Sequence, residues 1–186
     1  MQRADIQWFI LFIVLTSVAG CVTVPTQPSE EQPSDIRNSI QVMEDGVREV
    51  VIYAPFDNVF RNAENILLAG REQIAGVAAT YIEGKITTRF KGIDKDTLET
   101  FAFTNGMIKK GWKKGGYAYA IHFLAIAKHQ TKMRVKAVIY ATFSDAPLTE
   151  EQLNLWQLMT SKGVLEETFL VELNKAAQEG YETTWP

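Results

Sequence analysis

The spacing of apolar positions changes several times along this chain, and each change marks an element. Residues 8–15 are an unbroken apolar run behind a short end carrying Arg3 and Asp5, and residues 22–39 then hold almost nothing apolar. Glu49-Val50-Val51-Ile52-Tyr53-Ala54 is short, β-branched and closed by Pro55, which predicts a strand. Phe56, Val59, Phe60, Ala63, Ile66 and Leu67 then recur at helical spacing. With Pro55 at the first helical position, Asp57 opposing the helix dipole and Gly70 offering a left-handed stop, they predict an amphipathic helix over residues 55–69.

Residues 74–82 and 85–91 flank Glu83-Gly84 and predict a hairpin or two successive strands. Residues 94–99 read as a solvated turn. Residues 97–110 mix Phe101, Phe103, Met107 and Ile108 without a clean period and read as a strand. The longest predicted strands are 117–128 and 132–143, joined at His129-Gln130-Thr131. Met133, Val135, Ala137 and Ile139 alternate there with Lys132, Arg134 and Lys136, giving one core face and one wet face. In the partner strand Tyr119, Ile121 and Phe123 are the expected core face, while Leu124 and Ile126 interrupt the other.

Thr149 and Gln152 have capping-box spacing, and Leu148 can staple against Leu153. The stripes Leu153/Trp156/Met159 and Leu165/Phe169/Leu173/Ala176 predict one long C-terminal helix, broken or kinked at Ser161-Lys162-Gly163 and ending near Gly180. Glu166 and Glu167 are expected on its solvated face. Strand, helix, several antiparallel strands and a final helix make an α+β fold, an antiparallel curved sheet covered by an N-terminal helix and a long C-terminal helix.

The start of the chain adds an address. The apolar run before Cys21 is too short and too interrupted for the roughly 20 apolar residues of a spanning helix, and its layout is that of a secretory signal. Its end, Val18-Ala19-Gly20-Cys21, resembles the bacterial lipobox at all four positions. The resemblance implies cleavage after residue 20, a diacylglyceryl group on the Cys21 sulfur and acylation of the new amino terminus by a chain such as palmitate. Residues 1–20 are then a signal peptide, 21–46 the lipidated Cys and a Pro-rich tether, 47–180 the folded domain and 181–186 a tail. Val22, rather than Asp, follows Cys21, which in such lipoproteins implies outer-membrane placement facing the periplasm.

Composition narrows the partners. A net charge of −3 gives no general case for nucleic acid, and 46% hydrophobic residues supply a core that excludes disorder for the bulk of the chain. One cysteine cannot form an intramolecular disulfide, and acylation would remove its thiol.

Candidate chemistry is sparse. Residues 94–105 lack the Gly and Glu of an EF-hand, no P-loop is present, and His122 and His129 fall on opposite faces, so no metal, cofactor or catalytic residue is expected and the chain does not read as an enzyme. Trp112 among Lys109, Lys110, Lys113 and Lys114 is the candidate contact with a membrane or an envelope protein, against the plainer reading of a glycine-rich loop kept soluble by lysines. Tyr119, Phe123, Trp156 and Phe169 are candidate walls of an apolar pocket for a lipid-like ligand.

The Ala54-Pro55-Phe56 junction, the strand start Thr131-Lys132-Met133-Arg134-Val135 and the final helix resemble the helix-grip domains of the lipoprotein C subunit of the outer-membrane barrel-assembly machinery. Two functions are therefore expected of the chain, a non-enzymatic accessory or docking lipoprotein of the envelope, or a carrier of an apolar ligand held between sheet and C-terminal helix.

Overall fold

The computed structural model describes residues 36–103, 112–143 and 156–182, all within the compact unit Gln32–Pro186. A 3-10 turn at Ile36–Ser39 leads into β1 (Gln41–Val42), β2 (Arg48–Ile52), α1 (Phe56–Ala69), β3 (Ile74–Ala79), β4 (Glu83–Thr88) and β5 (Lys91–Asp94). Then come α2 (Lys95–Phe101), β6 (Ala102–Phe103), β7 (Lys114–Ala127), β8 (Gln130–Thr142), β9 (Gln157–Ser161) and α3 (Val164–Glu182). The fold is α+β, a nine-stranded sheet with the main order β1-β2-β8-β7-β4-β3 and antiparallel pairings throughout the described residues. The packed region starts upstream of Val47, because Ile36 is buried in the core.

The β7–β8 hairpin is the spine. Ala127 pairs with Gln130, so the turn is Lys128-His129 rather than His129-Gln130-Thr131. The pairs Tyr119↔Ala137, Ile121↔Val135 and Phe123↔Met133 fall on one face, all buried, as the alternation predicts. Against this face lie Val59, Ala63 and Leu67 of α1 and Leu170, Leu173 and Ala177 of α3. Phe60 meets Phe123 edge-on at 5.0 Å, and Phe169 meets Tyr119 at 5.6 Å. Each fully buried Ile, Leu or Phe contributes about 1.5–3 kcal/mol, so this layer dominates stability. The two helices also touch directly, Asn58 Nδ2 donating to the Ala177 carbonyl at 3.1 Å.

Each edge of the spine carries two strands placed end to end. On β7, β4 pairs with residues 120–124 and β5 with 114–117; on β8, β2 pairs with residues 131–135 and β9 with 139–141. Both ladders therefore break at the level of the facing pair Tyr119 and Ala137. A side chain fills each break. Tyr119 N–H donates to Thr88 Oγ1 at 2.8 Å, and Ala137 N–H donates to Glu166 Oε1 at 3.0 Å. A buried amide left without an acceptor costs about 1–3 kcal/mol, which these two bonds avoid.

Four expectations change. Helix α1 does end near Ala69, but Gly70 has φ −71° and the left-handed position is taken by Arg71 at φ 59°. Glu72 N–H donates to Leu67 O at 2.8 Å and Arg71 N–H to Leu68 O at 3.0 Å, the bond pattern of a Schellman stop. Residues 95–101 are a helix rather than turn and strand, because the Asp94 side chain caps it by accepting from Thr97 N–H at 2.7 Å. Residues 157–161 are a strand rather than a helix, so the expected kink is a strand-to-helix junction at Gly163, φ +89°. Finally, Glu166 is fully buried, not on a solvated face, since the break in β8 requires its carboxylate. The capping box at Thr149 and Gln152 lies outside the described residues.

Candidate functional site

The break in β8 opens a cleft. Where β2 leaves β8 and β9 has not yet joined it, a groove of about 630 Å³ lies between the β1–β2 hairpin on one side and β9 with β6 on the other. Lys136, Val138 and Tyr140 form its floor; Val42 of β1 and Met43 of the β1–β2 turn flank it on one side, and Leu158 and Phe103 of β9 and β6 on the other. Val42, Phe103 and Leu158 are 65%, 52% and 61% exposed, so the rims present apolar side chains to solvent. Lys136 Nζ lies 3.7 Å from Asp45 Oδ2, an exposed and weak pair.

Beneath the cleft a polar cluster fixes the two walls. Glu166 Oε2 accepts from Ser161 Oγ at 2.9 Å, and Ser161 Oγ accepts from Gly163 N–H at 3.0 Å. Arg48, buried at the start of β2, donates from Nε to Glu167 Oε1 at 3.4 Å and from Nη1 to the Gly46 carbonyl at 3.3 Å. Its Nη2 would lie 2.0 Å from a Cβ at Gly163, so only glycine lets the guanidinium reach α3. Two carboxylates, one guanidinium and one glycine thus tie β2, β8, β9 and α3 together. Glu166 is spent on the backbone and on Ser161, which suits it to holding the cleft in shape.

A second cluster stands at the end of α1. Lys91 Nζ donates to Glu72 Oε1 at 2.9 Å and to the Gly70 carbonyl at 2.7 Å, and Tyr117 OH donates to the same Glu72 oxygen at 2.7 Å. Glu72 Oε2 is buried without a hydrogen-bond partner among the described residues. Burial, reinforced by Glu72, raises the Tyr117 hydroxyl pKa, and burial chiefly raises that of Tyr119, whose hydroxyl donates to the Leu165 carbonyl at 3.3 Å. On the opposite sheet face, Arg134 above all, then Lys132, holds the Glu49 carboxyl below its usual range, with contacts of 2.6 and 3.1 Å.

Of the expected site residues that are described, Tyr119 and Phe169 are brought into contact, while Trp112 lies in a separate ring pair with Phe143. Trp112 is 2% exposed and stacks on Phe143 at 3.9 Å, its Nε1 buried without a hydrogen-bond partner among the described residues, so its indole packs in the fold instead of facing a membrane. Lys113 is exposed and Lys114 opens β7, while Lys109, Lys110 and Cys21 lie outside the described residues. Tyr119, Phe123, Trp156 and Phe169 are all buried; Tyr119 meets Phe169 and Phe123 meets Phe60, and Phe123 also borders a shallow cleft beside His122 and Leu124. No group of three metal-ligating side chains occurs among the described residues, and no described helix is long and apolar enough to cross a membrane. The sequence missed Arg48, Ser161, Gly163 and Glu166, whose only signal was the glycine inside an apparent helical stripe. The chain matches no protein-family model and no curated protein.

Proposed function

We propose that this chain is a lipid-anchored, non-enzymatic docking module of the bacterial cell envelope, tethered through acyl chains on Cys21 and offering the β1–β9 cleft to a protein partner. The observation that carries the docking half is the cleft itself, whose rims expose Val42, Met43, Phe103 and Leu158. Apolar rims around a groove are what a partner segment can bury. The anchoring half rests on Val18-Ala19-Gly20-Cys21. The carrier reading draws less support, because Tyr119 and Phe169, proposed as pocket walls, pack ring to ring.

Each half has its own test. Replacing Cys21→Ser is expected to abolish incorporation of labelled palmitate and to release the protein from the membrane fraction; unchanged sedimentation with membranes would exclude the anchor. Val42→Glu with Leu158→Glu, both at exposed positions, is expected to leave the fold intact and to remove photo-crosslinks formed from a probe at Met43 in intact envelopes. Persistence of those adducts would place the partner elsewhere.

A further inference from the structure

Strand β3 ends the sheet, and nothing in the described residues covers it. Its sequence, Ile74-Ala75-Gly76-Val77-Ala78-Ala79, holds no charge and no proline, and residues 75–79 are all exposed. Edge strands in monomeric proteins usually carry lysine, proline or a covering loop to stop other strands from adding. Here only a bulge between Ile74 and Gly76 interrupts the edge.

The hairpin fixes which backbone groups are open. Thr80 N–H donates to Glu83 O at 2.7 Å, making 80/83 a hydrogen-bonded pair. Alternation along an antiparallel ladder makes Ala78↔Lys85 the next bonded pair, so the N–H and C=O groups of Val77 and Ala79 point away from β4. The bulge ends that regular outward row on the N-terminal side. Such a row accepts one kind of partner, an extended strand.

The geometry points to β3 as the place where a second copy of this chain adds, antiparallel, across a two-fold axis at Ala78. In that register Val77 faces the second copy's Ala79 and Ala79 its Val77, so every outward group of the regular row is bonded. An axis at Val77 would instead set Ala79 against the bulged segment and leave its groups open. A charged strand would find no counter-charge along β3, whereas a neutral copy brings no like charges opposite each other. Tyr81 and Ile82, 98% and 62% exposed at the hairpin tip, come opposite the second copy's Ala75 and Ile74 and gain apolar cover. The contact is smaller than the roughly 1,600 Å² of a standard interface, so the pair is weak and is best read by trapping. It does not depend on lipid at Cys21 or on the cleft.

The test is disulfide trapping of the full chain, purified in detergent, with single substitutions Val77→Cys, Ala78→Cys and Ala79→Cys under mild oxidation. Residue 78 opposes its own copy in a non-hydrogen-bonded pair, with Cα atoms roughly 4.5 Å apart, inside disulfide range. Residues 77 and 79 stand more than roughly 7 Å from their own copies. The expected result is a dimer only for Ala78→Cys, with peptide mapping that finds the 78–78 link rather than 21–78. Adding Val77→Lys and Ala79→Lys, which sets lysine opposite lysine at exposed positions, should lower that crosslink roughly fivefold or more while circular dichroism stays unchanged. Equal crosslinking at all three positions, none at 78, or insensitivity to the lysines would overturn the pairing; so would capture of a different protein by the Ala78→Cys variant in place of a second copy.

Discussion

Gly163 turns the chain from β9 into α3 at φ +89° while Arg48 Nη2 occupies the space a side chain would need. Alanine there meets both a left-handed backbone and a buried guanidinium, so Gly163→Ala is expected to lower unfolding free energy by about 2–3 kcal/mol, measured by urea denaturation. Arg71 is the reverse case. Its φ of 59° is a conformation that costs a residue with a Cβ about 1–2 kcal/mol, so Arg71→Gly should raise stability by about 0.5–1 kcal/mol in the same assay once the entropy glycine adds to the unfolded chain is counted. Gly163 was visible in the sequence as an interruption. What it makes room for was not, since a buried arginine is read only once Glu167 and Gly46 are found beside it in space.

Elements with a long, regular pattern were legible: α1 from its repeat, and β7 and β8 from alternation that names their buried face correctly. Short elements set by distant partners were not. In α2 Leu98 is the buried residue of seven, too little for a periodicity, and Asp94 suits a turn as well as a cap. In β9, Leu158 and Met159 are good helix formers, and only pairing with residues 139–141 makes them a strand. The candidate cleft depends on that pairing, which is why it was missed. The bonds that fill the ladder breaks give a graded prediction. Thr88→Val should cost about 1–2 kcal/mol by orphaning Tyr119 N–H, and Glu166→Ala somewhat more because Ser161 also loses its acceptor. Glu166→Gln keeps an acceptor and should cost the least; hydrogen exchange should accelerate selectively at Tyr119 or Ala137, according to the bond removed.

For the folded unit as a whole, the buried tyrosines set an alkaline limit. Folding holds the Tyr117 and Tyr119 protons beyond the ordinary pKa of 10.0, chiefly by burial. The unfolded chain releases them near pH 10, so their contribution is complete below that pH and declines as pH rises past it. The thermal midpoint should fall above pH about 10. Tyr117→Phe with Tyr119→Phe should start lower, having lost the bonds to Glu72 and Leu165, yet decline less steeply. The coincident breaks at Tyr119 and Ala137 bear on mechanics. They divide the sheet into two panels joined by a continuous spine, one carrying β1, β2, β3 and β4 and the other β5, β6 and β9. The cleft straddles that crease, with Val42 on one panel and Leu158 on the other, so a segment seated there would brace the molecule along its own fold line.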